Sequence, residues 1–320
     1  MVDGAEAELD ADSKAFLAQV AAFGQKAEDV PVAQTRALTR QTMLAADRQA
    51  PEIDRVDAFD IPGRGGPVPV RVYYPLERPA APLPLVLFFH GGSWIYGDLD
   101  CFDNMMRSIC AGSGAVMVSV GYRLAPEHPF PAGLDDCHDA LVWAARSAAQ
   151  LGIDPARIAV MGDSAGGNLA AAVTLRARDD GGPAIARQIL LYPAMDADGT
   201  ENRYPSRRAL GNGEHMISLA GIVWAFDLYL GKDGDRTSPL VAPIQADEVG
   251  GLPPAFIMTA GFDPLRDEAR AYADRLLAAG VAVDYHCYET TIHGFLSMPD
   301  WIKAGREGRR QIATWITDRL

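Results

Sequence analysis

The chain has 320 residues, 48% of them hydrophobic and 22% charged, the proportions of a soluble globular protein with material for one large α/β domain or two smaller ones. Its formal net charge of −13 argues against nucleic acid and anionic membranes as partners and leaves the fold open. Cys101, Cys110, Cys137 and Cys287 show neither CxxC spacing nor a metal-ligand cluster, so reduced core thiols and no metal site are expected.

The opening MVDGAEAELDADSKAF is acidic and lacks a basic stretch followed by an apolar run, so it does not read as a signal peptide. No apolar run is long enough to span a bilayer, and a cytoplasmic location without stable membrane association is expected. Residues 10–48 place Phe16, Leu17, Val20 and Phe23, then Leu38, Met43 and Leu44, at helical spacing, which predicts two helices ahead of the main domain. Segments 56–61 and 68–74 alternate about the turn-forming GRGG and predict an antiparallel hairpin. From residue 84 the pattern changes to short, almost continuously apolar runs at 84–89, 115–120, 158–161, 187–192 and 255–259. Strands of a parallel sheet covered by helices on both faces read this way, and 282–288 is the expected last strand. Segment 199–236 interrupts the rhythm with a polar loop over 199–213 and a helix-like, Trp- and Phe-bearing run over 217–226. A long excursion between core strands predicts a lid whose other half is the N-terminal helices, the alternative being a surface decoration that buries its own aromatics. The expected division is N-terminal cap helices in 1–50, a core in 51–198 and 237–320, and a cap insertion in 199–236.

One stretch carries chemistry. Gly162-Asp163-Ser164-Ala165-Gly166 fits G-x-S-x-G and lies between an apolar strand and an Ala-rich helix. That is the setting of a nucleophile elbow. A serine on so sharp a turn sits in strained backbone, and residues two before and two after it crowd together, so both must be glycine. The following helix turns its positive end toward the hydroxyl.

A serine hydroxyl is a weak nucleophile at neutral pH and needs a base. Of six histidines, His293 lies just past the last predicted strand, where parallel sheets build their sites. His286 falls within that strand, His138 in a helical segment, and His128 and His215 in loops without supporting context. The imidazole needs a carboxylate to orient it. Asp263 directly follows the stretch 255–262, past a strand end, whereas Asp267 and Glu268 fall on the next helix; capping that helix is the alternative role for Asp263. The order Ser164, Asp263, His293 is that of an α/β-hydrolase. The acyl-transfer oxyanion needs donors, and His90-Gly91-Gly92-Ser93-Trp94 follows the strand ending at Phe89. Main-chain N–H groups of Gly91, Gly92 and Ser93, with that of Ala165, are the candidates. His90 is expected to organise this loop.

Taken together, HGGSW, the run YRLAPEHPFPA from Tyr122 to Ala132, GDSAGGN, GFDPLRD from Gly261 to Asp267, and His293-Gly294-Phe295 resemble the bacterial hormone-sensitive-lipase-like esterases, family IV. The resemblance runs in order from about residue 55 to 315. It implies an α/β-hydrolase fold, a mostly parallel sheet with helices on both faces and a helical cap. It further implies hydrolysis of small carboxylic esters of short to medium acyl chain, no cofactor, and a homodimer formed through an edge strand. The family's HGGG is HGGS here, with Ser93 at the third glycine, which leaves the donor pair open between Gly91/Gly92 and Gly92/Ser93. Asp163 matches the GDSAG form and is expected to support the serine from behind; with Trp94 it is placed among the residues that shape the substrate pocket. Tyr122 and Arg123 read as structural. Three rival functions remain at this stage. They are an amide or N-acyl hydrolase using the same residues, as in arylacetamide deacetylases and kynurenine formamidases, a non-catalytic ligand-binding module like the plant gibberellin receptor, and a lipase for long-chain fat.

Overall fold

A computed structural model of the protein describes residues 8–23, 29–77, 79–232 and 234–320. Its strands are β1 (Arg55–Gly63), β2 (Gly66–Tyr74), β3 (Leu83–Phe89), β4 (Val116–Val120), β5 (Ile153–Asp163), β6 (Arg187–Leu191), β7 (Ala255–Phe262) and β8 (Val283–Ile292). They form one sheet in the order β1-β2-β4-β3-β5-β6-β7-β8. The predicted hairpin is present, with β1 and β2 antiparallel and β2 antiparallel to β4; every pairing from β4 through β8 is parallel. The helices among the described residues are α1 (Ala11–Phe23), α2 (Val32–Ala46), α3 (Asp103–Ser113), α4 (Ala132–Arg146), α5 (Ala148–Leu151), α6 (Ala165–Asp179), α7 (Pro205–Leu210), α8 (Leu219–Leu230), α9 (Arg266–Ala278) and α10 (Ala304–Arg319).

The near-continuous apolar strands follow from cover on both faces. Along β3 the side chains alternate, with Leu85, Leu87 and Phe89 meeting Leu134, Leu141, Leu169 and Val173 of α4 and α6. Val86 and Phe88 face the other way, into Met105, Met106 and Ile109 of α3 and Ile312 and Ile316 of α10. Neither face touches water, so the sequence cannot alternate apolar with polar. This is the α/β-hydrolase fold. The four cysteines are free, three of them buried. Among the described residues no helix is long and apolar enough to cross a membrane, and no group of three or more His, Cys, Asp or Glu could hold a metal ion.

The segment 199–213 departs from the expected polar loop, because it contains α7. Pro205 occupies its first turn, where a missing N–H is harmless. Two polar residues of α7, Ser206 and Arg207, are buried, while Arg208 is exposed. Arg207 is fully buried and its Nη2 lies 2.5 Å from Oε2 of Glu268, itself fully buried on α9. Glu268 Oε1 accepts N–H bonds from Met195 at 2.7 Å and Asp196 at 3.2 Å, while Arg207 Nη2 donates to Asp196 O at 2.8 Å. Ser206 Oγ donates to Pro264 O at 2.8 Å. An ion pair so enclosed is costly to form and costlier to halve, since the remaining charge has no solvent. Arg207→Met should therefore lower stability by about 3–5 kcal/mol in urea unfolding, and Arg207→Met combined with Glu268→Leu should recover most of that loss.

Candidate active site

Ser164 links β5 to α6 at φ 55°, a left-handed conformation that a residue with a Cβ holds only under external constraint. The constraint is the close crossing of backbones. A Cβ on Gly162 would lie 2.0 Å from Gly166 O, and one on Gly166 would lie 1.9 Å from Phe89 O, so glycine is obligatory at both. Ser164 N–H donates to Leu191 O at 2.8 Å. One turn along α6, the Asn168 amide donates to Ala194 O at 2.9 Å and Val241 O at 2.8 Å, pinning two loops to the helix start.

Asp263 and His293 are each the first residue past β7 and β8. Side chains launched from one end of strands in the same sheet converge, and these three do. His293 Nδ1–H donates to Asp263 Oδ2 at 2.7 Å, and Nε2 lies 2.9 Å from Ser164 Oγ. Asp263 is not the cap of α9, whose N-cap position is Leu265 without a side-chain cap bond; its Oδ1 accepts the Leu265 N–H at 2.8 Å in the turn leading into that helix. Asp263 and His293 are buried. Burial pulls the His293 imidazole down, but the Asp263 carboxylate and its hydrogen bond, joined by Asp163 and Glu268, outweigh that and leave it above its ordinary value.

The rival residues are engaged elsewhere. Asp267 accepts the Ser206 N–H and pairs with Arg266, and Glu268 pairs with Arg207. His286 is exposed on β8 beside Phe256, and His138 is buried on α4 with Arg64 3.3 Å from its Nδ1. Tyr192, at the end of β6 between Ser164 and Asp263, did not stand out in the sequence. Its ring centroid lies 4.8 Å from that of His293, and it too is left-handed, at φ 35°. Its position directly after the apolar run ILL was the available signal.

The glycine loop after β3 is held from below. His90 is buried between Tyr122 and Phe102, with centroids at 4.3 and 5.5 Å, and its Nδ1–H donates to Gly91 O at 2.8 Å. Burial lowers its pKa to about 4, so it is neutral and organises the loop. Tyr122 supports it by donating to His90 O at 2.7 Å, and Arg123 pairs with Asp136.

Three expected site residues need correction. Gly91 donates its N–H to Asp163 Oδ1 at 2.6 Å, so it is not free for an oxyanion. Asp163, 4% exposed, lies beneath the loop and is shielded from solvent; burial raises its carboxyl to about 7 against the Gly91 hydrogen bond and the His293 charge. Trp94 is 3% exposed because its ring stacks on Tyr229 at 4.5 Å and meets Phe226 at 4.6 Å, both on α8. The loop then turns back on Gly92 O, which accepts the N–H groups of Ile95 and Tyr96 at 2.9 Å each. With Gly91 engaged, the donors left on this rim are the N–H groups of Gly92 and Ser93, together with Ala165 at the start of α6, where a helix leaves its first N–H groups unpaired. Ser93 Oγ lies 3.1 Å from Tyr96 OH. An open cleft of about 480 Å³ is lined by Glu8, Leu9, Lys14, Leu17, His215 and Phe262. Phe262 precedes Asp263, and Met216, next to His215, borders Gly294.

Residues 86–297 match the family model of the alpha/beta hydrolase fold. The esterase LipI of Mycobacterium tuberculosis is 41% identical over 273 residues, covering 84% of this chain and 83% of LipI. The carboxylesterase NlhH of the same organism is 43% identical over 241 residues, 75% of each chain. A Pyrobaculum calidifontis esterase structure superposes with a TM-score of 0.90 at 39% identity, over 97% of this chain and 98% of that one. Sheet order and strand-end residues thus define an α/β-hydrolase. Within that class the chain belongs to the hormone-sensitive-lipase-like, family IV, esterases, and it is a carboxylic ester hydrolase.

The bond between Asp163 and Gly91 has a measurable consequence. Asp163→Ala leaves a buried N–H without an acceptor and should cost about 1–3 kcal/mol in chemical denaturation. Asp163→Asn keeps an acceptor oxygen and should cost clearly less. Equal losses from the two would mean that the hydrogen bond does not hold the loop.

Proposed function

We propose that Ser164, His293 and Asp263 act as nucleophile, general base and orienting acid in the hydrolysis of carboxylic esters with short to medium acyl chains. The observation that carries this is the single imidazole within hydrogen-bond reach of both other groups, at 2.9 Å from the hydroxyl and 2.7 Å from the carboxylate. His293 Nε2 takes the hydroxyl proton as Oγ bonds to the ester carbonyl carbon. The carbonyl oxygen becomes an oxyanion, which the N–H groups of Gly92, Ser93 and Ala165 stabilise. The C–O bond to the alcohol breaks as His293 returns the proton to the leaving oxygen. Water then attacks the acyl-enzyme by the same steps, releasing the carboxylic acid and restoring Ser164. Asp263 holds the Nδ1–H tautomer throughout and stabilises the imidazolium.

An apolar cleft beside Asp263 supports acceptance of an acyl chain. Leu9, Leu17 and Phe262 give the cleft its apolar lining. Two of its walls come from segments far apart in the chain, residues 8–17 and His215, while Phe262 belongs to the sheet. We therefore take residues 1–50 and 199–236 as a cap over the core.

With purified protein and p-nitrophenyl esters from acetate through palmitate, turnover should be fastest among the short and medium chains. A rate that rises steadily to palmitate would overturn that specificity. Ser164→Ala should abolish turnover, and a variant near wild-type rate would remove the nucleophile assignment. Asp263→Asn should lower kcat by roughly 10⁴-fold, as the wrong tautomer does in other serine hydrolases. The base must be neutral, so kcat/KM should fall as pH drops through the His293 pKa. Because that pKa is raised, the acid limb should lie above the ordinary imidazole value of about 6.5.

A further inference from the structure

The loop that carries the Gly92 and Ser93 N–H groups is strained at two consecutive residues with side chains. Ser93 sits at φ 55° and Trp94 at φ 60°. Left-handed backbone is unfavourable for a residue with a Cβ, so this conformation persists only where the surroundings enforce it. On the core side, Asp163 holds the Gly91 N–H and the Ala125 N–H donates to Trp94 O at 2.9 Å. From the insertion, α8 grips the Trp94 ring through Tyr229 and Phe226.

The remaining grip comes from the N-terminal helices. Arg36 on α2 donates from Nε to Ile95 O at 2.7 Å and from Nη2 to Ala125 O at 2.9 Å. One guanidinium thus binds the backbone of the loop and that of the segment bracing Trp94. Glu127 fixes its plane, accepting from Nη1 at 2.8 Å and Nη2 at 2.6 Å. One turn on, Arg40 reaches Asp98 at 2.8 Å and Asp100 at 2.5 Å, so α2 runs along 95–100 through two arginines. Apolar packing of α2 is confined to partly buried Val32 and Met43 and buried Ala46. Of the 15 residues of α2 only Thr35 and Ala46 are buried, and Leu38 and Leu44 are exposed.

We propose that Arg36 is a positioning residue for the oxyanion loop, so that ester hydrolysis depends on α2 being docked against Ile95 and Ala125. The role presupposes the chemistry proposed above for Ser164 and His293. Oxyanion donors act on charge that exists only in the transition state, so a loop released by loss of Arg36 should be felt in kcat. Binding of the ground-state ester should hardly change.

The test compares wild type, Arg36→Ala, Arg36→Lys and Ser164→Ala on p-nitrophenyl acetate, with a thermal melt of each. Arg36→Ala should lower kcat by about 10²-fold, as displacement of catalytic groups by an ångström does, with far less change in KM. Arg36→Lys, which cannot reach both carbonyls, should fall between. Adding methylguanidinium should raise kcat of Arg36→Ala and leave wild type unchanged. Should Arg36→Ala fail to melt cooperatively, Arg36→Lys carries the same kcat criterion. An unchanged kcat, or a loss expressed only as raised KM, would overturn the proposal. With Ser164→Ala inactive, that result would fall on Arg36 alone; a Ser164→Ala variant that still turns over would instead overturn the chemistry on which it rests.

Discussion

At Ser164 three backbone segments meet with no space for a side chain between them. Gly162 comes up β5, Gly166 lies in the first turn of α6, and Phe89 ends β3 beneath the crossing. Because Gly166 presses on Phe89 O, the strand that ends in the glycine loop and the helix that starts at the serine are fixed relative to each other. The proposed oxyanion donors, Ala165 and Gly92-Ser93, therefore lie on segments that this contact joins. Widening it by a single methyl would move the hydroxyl and the donors apart together.

Around this crossing the polar groups are buried and mutually supporting. Asp163 ties the loop to the elbow, Asp263 ties α9 to the imidazole, and Glu268, five residues on, anchors α7 through Arg207. Such a network is expensive in a low-dielectric interior unless every member is paired. Here most members hold two or more partners, and the geometry at His293 has little freedom to relax. The apolar strands supply the cohesion; the polar contacts specify which arrangement is kept.

Much of this was legible in the chain. The glycines at 162 and 166 act on each other across four residues, so their spacing reports a three-dimensional contact directly. Asp263 stood immediately after an apolar run and His293 shortly after the last predicted strand, and strand ends in a parallel sheet share one rim. Other features had no such signature. Trp94 and Asp163 adjoin reactive residues in sequence, yet nothing there says which way a side chain points, and both point inward. The helix α7 hid because Ser206 and Arg207 read as solvated when they are the most enclosed polar residues of the insertion. Arg36 was invisible for another reason. Its partners lie 59 to 91 residues away and include two carbonyl oxygens, which every residue possesses. Gly91 could be separated from Gly92 only once its N–H was seen to face a carboxylate.

The imidazole is carried by β8, the outermost strand on its side of the sheet. What covers that margin near the site comes from the far end of the chain. The Asp10 N–H donates to Thr290 O at 2.7 Å, and Ser13 Oγ lies 3.0 Å from Thr291 Oγ1, two residues before His293. Warming should accordingly loosen the border before the interior. Hydrolytic competence would be extinguished while most of the sheet is still intact, and the order of events on heating would be set by how firmly residues 10–13 stay in place.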